Sequence, residues 1–127
     1  MSKIKLNAIY DPGSTISLIN EDILKKLKII FFKNRKLLST INGHSFSAGR
    51  AFLRVRIGNI ISYIDFHVVK DKNFKYQLLL GLDAIRRFKL LQNENLDIFQ
   101  RDLKTNAYVK IGKPTEVFKL GPKPERL

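Results

Sequence analysis

The 127-residue chain contains no cysteine and only two histidines, and these absences exclude several kinds of site. Without cysteine there is no disulfide framework, zinc finger or thiol nucleophile. Two histidines are also too few for a structural zinc site. No apolar run approaches the ~20 residues of a membrane span, and residues 1–5 lack the uncharged core of a signal peptide. We therefore expect a protein of the cytoplasm or of an intracellular particle, without membrane contact.

Basic residues outnumber acidic ones by 24 to 11, which gives a net charge of +13. Such a balance favours contact with nucleic acid or other anionic surfaces. The charge is spread along the chain, and no block of five or six basic residues occurs. The composition is therefore compatible with an ordinary solvated surface or with weak, nonspecific nucleic-acid contact, and it indicates no defined binding segment.

Apolar residues make up 44% of the chain, enough for the core of one domain. Short alternating segments at short spacing predict a mostly β protein with a closed or sandwiched sheet and one or two short helices. The predicted strands are residues 4–10, 16–19, 37–41, 44–46, 52–57 and 60–69, and further short apolar segments are residues 78–80, 90–91 and 96–99. The domain is expected to cover residues 1–100. Glycines and prolines in residues 101–127 predict a basic tail or linker that could add one strand near Tyr108.

Turn and cap residues separate these segments. Pro12-Gly13 suits the centre of a type II turn, and Asn42-Gly43 and Gly58-Asn59 are typical of hairpin turns. Asn20 is positioned to cap a helix that begins with two acidic residues. Asp83 is expected to cap a second short helix over residues 84–88.

Few catalytic chemistries are open to this chain. It has neither a G-x-S-x-G nucleophile elbow nor a phosphate-binding glycine loop. His44 lies beside a predicted turn and His67 within a predicted strand, and both are interpreted as ordinary residues. Asp11 is different, because it follows an apolar strand and precedes Gly13 and a second apolar segment.

Two segments in order resemble the hallmarks of the retropepsin family, the single-domain aspartic proteases of retroviruses and LTR retrotransposons. The first is Ile9-Tyr10-Asp11-Pro12-Gly13-Ser14-Thr15-Ile16-Ser17-Leu18-Ile19, and the second, about 70 residues later, is Leu78-Leu79-Leu80-Gly81-Leu82-Asp83-Ala84-Ile85. The segment between them, from Thr40 to Gly58, resembles the flap of such proteases. The resemblance covers about residues 3–100.

This resemblance implies a small closed barrel of the retropepsin type and the activity of an aspartic endopeptidase on a retrotransposon polyprotein. Asp11 would be catalytic, in an active-site loop with Pro12, Gly13 and Ser14. The flap would include Asn42, Gly43 and His44. Leu80 and Gly81 would form the structural second motif, and neither a metal nor another cofactor is needed.

The chemistry needs two carboxylates that share a proton, and the chain offers a single D-x-G. A working site therefore requires a homodimer joined through the active-site loop, with one Asp11 from each subunit. Gly13 would allow close approach of the backbone, and Ser14 could donate a hydrogen bond to the carboxylate.

Two other functions stay open. Pro12 stands where the family has Thr or Ser, and it supplies neither a hydroxyl nor a backbone N–H, which favours an inactive relative that acts in interaction or dimerisation. The charge of +13 favours a basic nucleic-acid-binding module, but aromatic residues do not appear interleaved with Lys and Arg as stacking platforms. The segment Phe31-Phe32-Lys33 comes nearest and is interpreted as a helix end packed on the barrel.

Overall fold

The computed structural model describes residues 3–40, 43–70, 74–111 and 114–118. The described residues form a mostly β structure with two short helices, which confirms that part of the predicted fold class. The elements are β1 (Lys3–Tyr10), β2 (Leu18–Asn20), α1 (Glu21–Lys26), β3 (Phe32–Thr40), β4 (Gly43–Ile57), β5 (Ile60–Val69), β6 (Leu78–Leu80), α2 (Leu82–Arg87), β7 (Leu90–Gln92), β8 (Ile98–Arg101), β9 (Tyr108–Lys110) and β10 (Pro114–Phe118).

The larger sheet has the strand order β10-β1-β6-β2-β5-β4-β3 within the described part of the chain. The short strand β6 lies between β1, to which it is parallel, and β2, to which it is antiparallel. It therefore places the end of β1 and the start of β2 beside residues 78–80, which are distant from both in sequence. β10 pairs with both β1 and β4.

The β4–β5 hairpin is the longest regular unit of this sheet. Ile57 pairs with Ile60 across the predicted turn, in which Gly58 has the positive φ of 59° that favours glycine. A β-bulge between Ser47 and Gly49 interrupts the pairing of β4 with β5, and β4 continues through it.

Alternate residues of β4 and β5 face the core, as the two-residue period of a strand requires. Leu53, Val55 and Phe66 are buried, whereas Arg54 and Tyr63 face outward. α1 covers one part of the core with Ile23 and Leu24, and α2 covers another part with Ala84 and Ile85. Other buried apolar residues of the core are Leu6, Ile19, Leu78, Leu80 and Phe88.

A smaller sheet, in the order β7-β8-β9, is attached through a buried amide. Gln100, on β8, donates from Nε2 to the carbonyls of Ile57 and Phe88 at 2.8 and 3.0 Å. Its Oε1 accepts from the backbone N–H of Asn59 at 2.9 Å. The side chain is 4% exposed, so these bonds satisfy a polar group that would otherwise be costly to bury.

Three local predictions need correction. α2 begins one residue after Gly81, and Gly81 rather than Asp83 occupies the cap position. α1 ends at Lys26, and Phe32 starts β3 instead of ending a helix. Two strands, β9 and β10, follow residue 100, where the sequence indicated at most one, and the division of the chain at residue 100 stays a prediction.

The helices among the described residues have six residues each, far too few to cross a bilayer.

Candidate active site

Asp11 lies directly after β1, at the point where this strand runs beside β6. Its backbone N–H donates to the carbonyl of Leu80 at 3.0 Å, which continues the parallel pairing of the two strands by one residue. The aspartate is thereby fixed against the end of β6, within the second hallmark segment.

The chain turns sharply after Asp11. The N–H of Ser14 donates to the carbonyl of Asp11 at 3.2 Å, and the N–H of Gly13 donates to Oδ1 of Asp11 at 3.0 Å. The carboxylate therefore folds back over its own turn. Gly13 does not have the positive φ that a type II turn needs, so the predicted turn type is wrong, although Pro12 and Gly13 are its central residues.

The loop presents its tip to solvent. Pro12 and Gly13 are exposed and Asp11 is half-buried. A half-buried carboxyl group on an exposed turn accepts hydrogen bonds from an approaching ligand when it is ionised, and it can donate one when it is protonated.

Ser14 anchors the loop instead of contacting the carboxylate. Its side chain is 3% exposed, and Oγ donates to the carbonyl of Ile16 at 2.8 Å. The predicted hydrogen bond from the Ser14 hydroxyl to the Asp11 carboxylate is therefore wrong. The carbonyl of Ser14 accepts from the N–H of Leu82 at 2.8 Å, which ties the loop to the start of α2.

Gly81 is packed against the back of the same loop. A Cβ atom at this position would lie 2.6 Å from the carbonyl carbon of Ile16 and 2.7 Å from the carbonyl oxygen of Ser14. Both are backbone atoms, so a side chain has no room. The second motif therefore supports the first by close backbone contact.

A pair of polar side chains, Ser17 and Asp83, joins the two segments. Oγ of the fully buried Ser17 donates to Oδ1 of Asp83 at 2.6 Å, and the N–H of Ser17 donates to Oδ2 at 3.3 Å. Ser17 Oγ also accepts from the N–H of Gly81 at 3.0 Å. Asp83 belongs to the predicted second hallmark, whereas Ser17 carries no sequence signal for this role, because no local pattern relates residues 66 positions apart.

The predicted flap falls on the β3–β4 hairpin. Asn42 lies outside the described residues, and Gly43 and His44 belong to β4. Gly43 pairs with Thr40, so it is a strand residue rather than a central residue of the predicted turn. That this hairpin covers Asp11 stays a prediction.

A cavity of about 490 Å³ lies alongside β1, the strand that precedes Asp11. It is lined mainly by apolar side chains, among them Tyr10, Leu80, Leu90, Leu96 and Ile98. Cavities of this size with a mostly apolar lining are typical of sites that receive an apolar part of a ligand.

Asp11, Gly13, Ser14, Leu80 and Gly81 thus lie together, where β1, β6 and the start of α2 meet. A search of solved structures matches the chain to the retroviral protease-like domain of Ddi1 from Leishmania major. The match has a TM-score of 0.55 and 12% sequence identity, and it covers 89% of this chain and 93% of that chain. At 12% identity this likeness shows that the chain has a retroviral protease-like fold. No protein-family model and no curated protein sequence matches the chain.

Proposed function

We propose that the chain is an aspartic endopeptidase that acts as a homodimer. The observation that carries this proposal is the position of Asp11, on an exposed turn held by Leu80 and the second motif, within a retroviral protease-like fold. Pro12 and Gly13 protrude beside it, so two copies of the loop can meet at a two-fold axis with both carboxylates close together.

The proposed chemistry depends on one proton shared by two Asp11 side chains. Two carboxylates a few ångströms apart cannot both be ionised, so one is protonated and the other is charged. The charged carboxylate takes a proton from water as the water attacks the peptide carbonyl, and the protonated one donates to the carbonyl oxygen. The N–H of Gly13 helps to hold the carboxylate in place during this exchange.

Two structural features complete the proposed enzyme. The double pairing of β10, with β1 and with β4, supports closure of the larger sheet as a small barrel. The β3–β4 hairpin would act as the flap over the bound peptide, and the apolar cavity beside Tyr10 favours substrates with an apolar side chain near the cleaved bond.

The proposed substrate is the polyprotein of an LTR retrotransposon, inside the cell. The segment Leu80-Gly81-Leu82-Asp83, which resembles the second hallmark of such proteases, supports this origin. The positive charge of the chain is compatible with a weak nucleic-acid contact in the same particle.

Cleavage of a fluorogenic peptide library at increasing protein concentration tests the proposal. Specific activity should rise with concentration until dimers saturate, and Asp11→Asn should abolish it. The matched control is Asp22→Asn, because Asp22 is exposed on α1 and should leave activity unchanged.

A subunit-mixing experiment makes the shared site testable. Addition of the Asp11→Asn protein to a fixed concentration of wild type should inhibit cleavage, because mixed dimers hold one carboxylate. Activity that is unaffected by a tenfold excess of the variant would exclude a shared dyad.

The alternative is an inactive relative that retains the dimer for interaction. The exposed Pro12, which offers neither a hydroxyl nor an N–H where two loops would meet, favours it. Wild type and Asp11→Asn proteins that dimerise equally and cleave no peptide of the library would support this alternative.

A further inference from the structure

The outward side of the β4–β5 hairpin carries a set of arginine and aromatic residues, here called the arginine–aromatic face. On β4, Arg50, Phe52, Arg54 and Arg56 alternate with buried residues, and so they share one side of the strand. The register places residues of β3 and β5 beside them on the same side; they are Phe32, Ile61, Tyr63, Asp65 and His67.

Strand pairing interleaves the rings with the cations. Tyr63 is directly opposite Arg54, and Phe32 is opposite Arg50. The rings of Phe52 and Tyr63 are stacked, with centroids 5.1 Å apart and an interplanar angle of 10°. The expectation that aromatic residues are not interleaved with basic ones is therefore wrong at this face.

The face is open to solvent at several points. Phe32 is 74% exposed, although it is a large aromatic residue, and Ile61 is 45% exposed. The side chain of Arg50 is 51% exposed. Large exposed aromatic side chains beside arginines are enriched at binding surfaces and have no role in the core.

The charges on this face are mostly positive. Among the described side chains of this face there are three arginines and one carboxylate, Asp65, which accepts hydrogen bonds from Arg50, one of them at 3.3 Å from Nε. Glu116 on β10 is paired in register with Arg56 at the margin. The arginines of this face therefore favour the binding of a polyanion, and the negative charge of Asp65 opposes that binding.

We propose that the arginine–aromatic face binds single-stranded nucleic acid, with a base stacked on the exposed ring of Phe32, the stacked Phe52–Tyr63 pair beside it, and phosphates contacted by the arginines. Stacking needs bases that are not already stacked in a duplex, and arginine contacts to phosphate supply affinity without sequence preference. This activity goes beyond the proposed proteolysis and does not use Asp11.

Fluorescence anisotropy with a labelled twelve-nucleotide oligouridine tests the proposal at several salt concentrations. Phe32→Ala should weaken binding by roughly fivefold or more through loss of stacking. Because Phe32 is largely exposed, this variant should keep the wild-type melting temperature. Arg54→Gln should reduce the slope of log affinity against log salt by about 0.7, the value for one phosphate contact on a single strand.

Two variants separate this face from the general charge of the protein. Asp65→Asn should strengthen binding, because it removes the carboxylate that engages Arg50. Lys104→Gln, on the exposed β8–β9 connection, removes a charge elsewhere and should have a much smaller effect than Arg54→Gln. The Asp11→Asn protein should bind like wild type whether or not the chain is a protease.

Other probes identify the results that would overturn the proposal. A duplex of the same length, or a heparin fragment, should bind more weakly than oligouridine, since neither offers unstacked bases. If these probes bind as tightly as oligouridine, or if the Phe32→Ala protein binds oligouridine as tightly as wild type, the proposal is wrong. Binding would then be the nonspecific attraction of a basic protein to any polyanion.

Discussion

At the scale of single residues, Gly81 is required because of what surrounds it. Its backbone is in an extended conformation before α2, which any residue can adopt. The requirement comes from the carbonyl groups of Ser14 and Ile16, which occupy the space of a Cβ atom. Since those groups belong to the loop that follows Asp11, any displacement at Gly81 is transmitted to the candidate active site.

We expect Gly81→Ala to destabilise the fold by about 1–3 kcal/mol, because the added methyl group must push backbone atoms apart. Urea unfolding measures this change. Peptide cleavage by the folded fraction should fall as well, because the loop shifts.

The comparison variant is Arg86→Ala, an exposed position on the same short helix, which should change stability by less than about 0.5 kcal/mol. Equal stability of Gly81→Ala and wild type would show that the loop can move away at no cost, contrary to this account.

At the scale of elements, the candidate site is assembled by short segments that have little stability of their own. β2 and β6 have three residues each, and α2 has six. Elements this short do not form in isolation. Hydrogen bonds at the ends of these elements, especially those of Ser17 with Asp83 and Gly81, therefore hold the loop after Asp11 in place.

A double-mutant cycle with Ser17→Ala and Asp83→Ala should show strong coupling. Each single variant leaves a polar group without its partner and should cost about 1–3 kcal/mol. The coupling free energy between them should be at least about 0.5 kcal/mol, because both remove the same hydrogen bonds.

A cycle on Lys110 and Asp97 is the control, because this ion pair is solvent-exposed, with 3.5 Å between the charged groups. Its coupling should be about 0.2–1 kcal/mol and should decrease with added salt. Additive effects at Ser17 and Asp83 would contradict a direct bond between loop and helix.

At the scale of the whole molecule, the site is half of the proposed enzyme, and Pro12 bears on how the halves join. Pro12 is exposed at the centre of the turn that would meet its symmetry mate. A Thr or Ser, which the retropepsin family has at this position, would supply a hydroxyl that could link the two loops. Proline cannot form that link.

We expect Pro12→Thr to strengthen dimerisation. Two restored hydrogen bonds would contribute about 1–3 kcal/mol, which is roughly a ten- to hundredfold lower dimer dissociation constant. Sedimentation equilibrium at matched concentrations measures it, and activity at low protein concentration should rise in parallel.

The opposite result has its own explanation. If the loop has adapted to proline, threonine increases the conformational freedom of the unfolded chain and lowers stability by about 0.4–1 kcal/mol. Unchanged dimerisation, with no cleavage by either protein, would shift the assignment to the inactive relative.

Local patterns were enough to predict most of the secondary structure. The alternation over residues 60–69 and the Gly58-Asn59 turn correspond to β5 and its hairpin, because strand period and turn chemistry depend on near neighbours. The cap at Asn20 is also local, since its side chain accepts from the N–H of Asp22. The two family-like segments are likewise short local motifs, and the roles that they predict for Asp11 and Gly81 stay predictions.

Contacts between distant segments were decided by the tertiary structure. The pairing of Ser17 with Asp83, the return of β10 to β1 and β4, and the attachment of the small sheet through Gln100 join residues tens of positions apart. Strand pairing also determines the neighbours of side chains within one hairpin, since it places Tyr63 beside Phe52 and Arg54. Sequence periodicity reports which way a side chain faces, whereas its partners depend on the register and order of strands, which the packing of the whole chain determines.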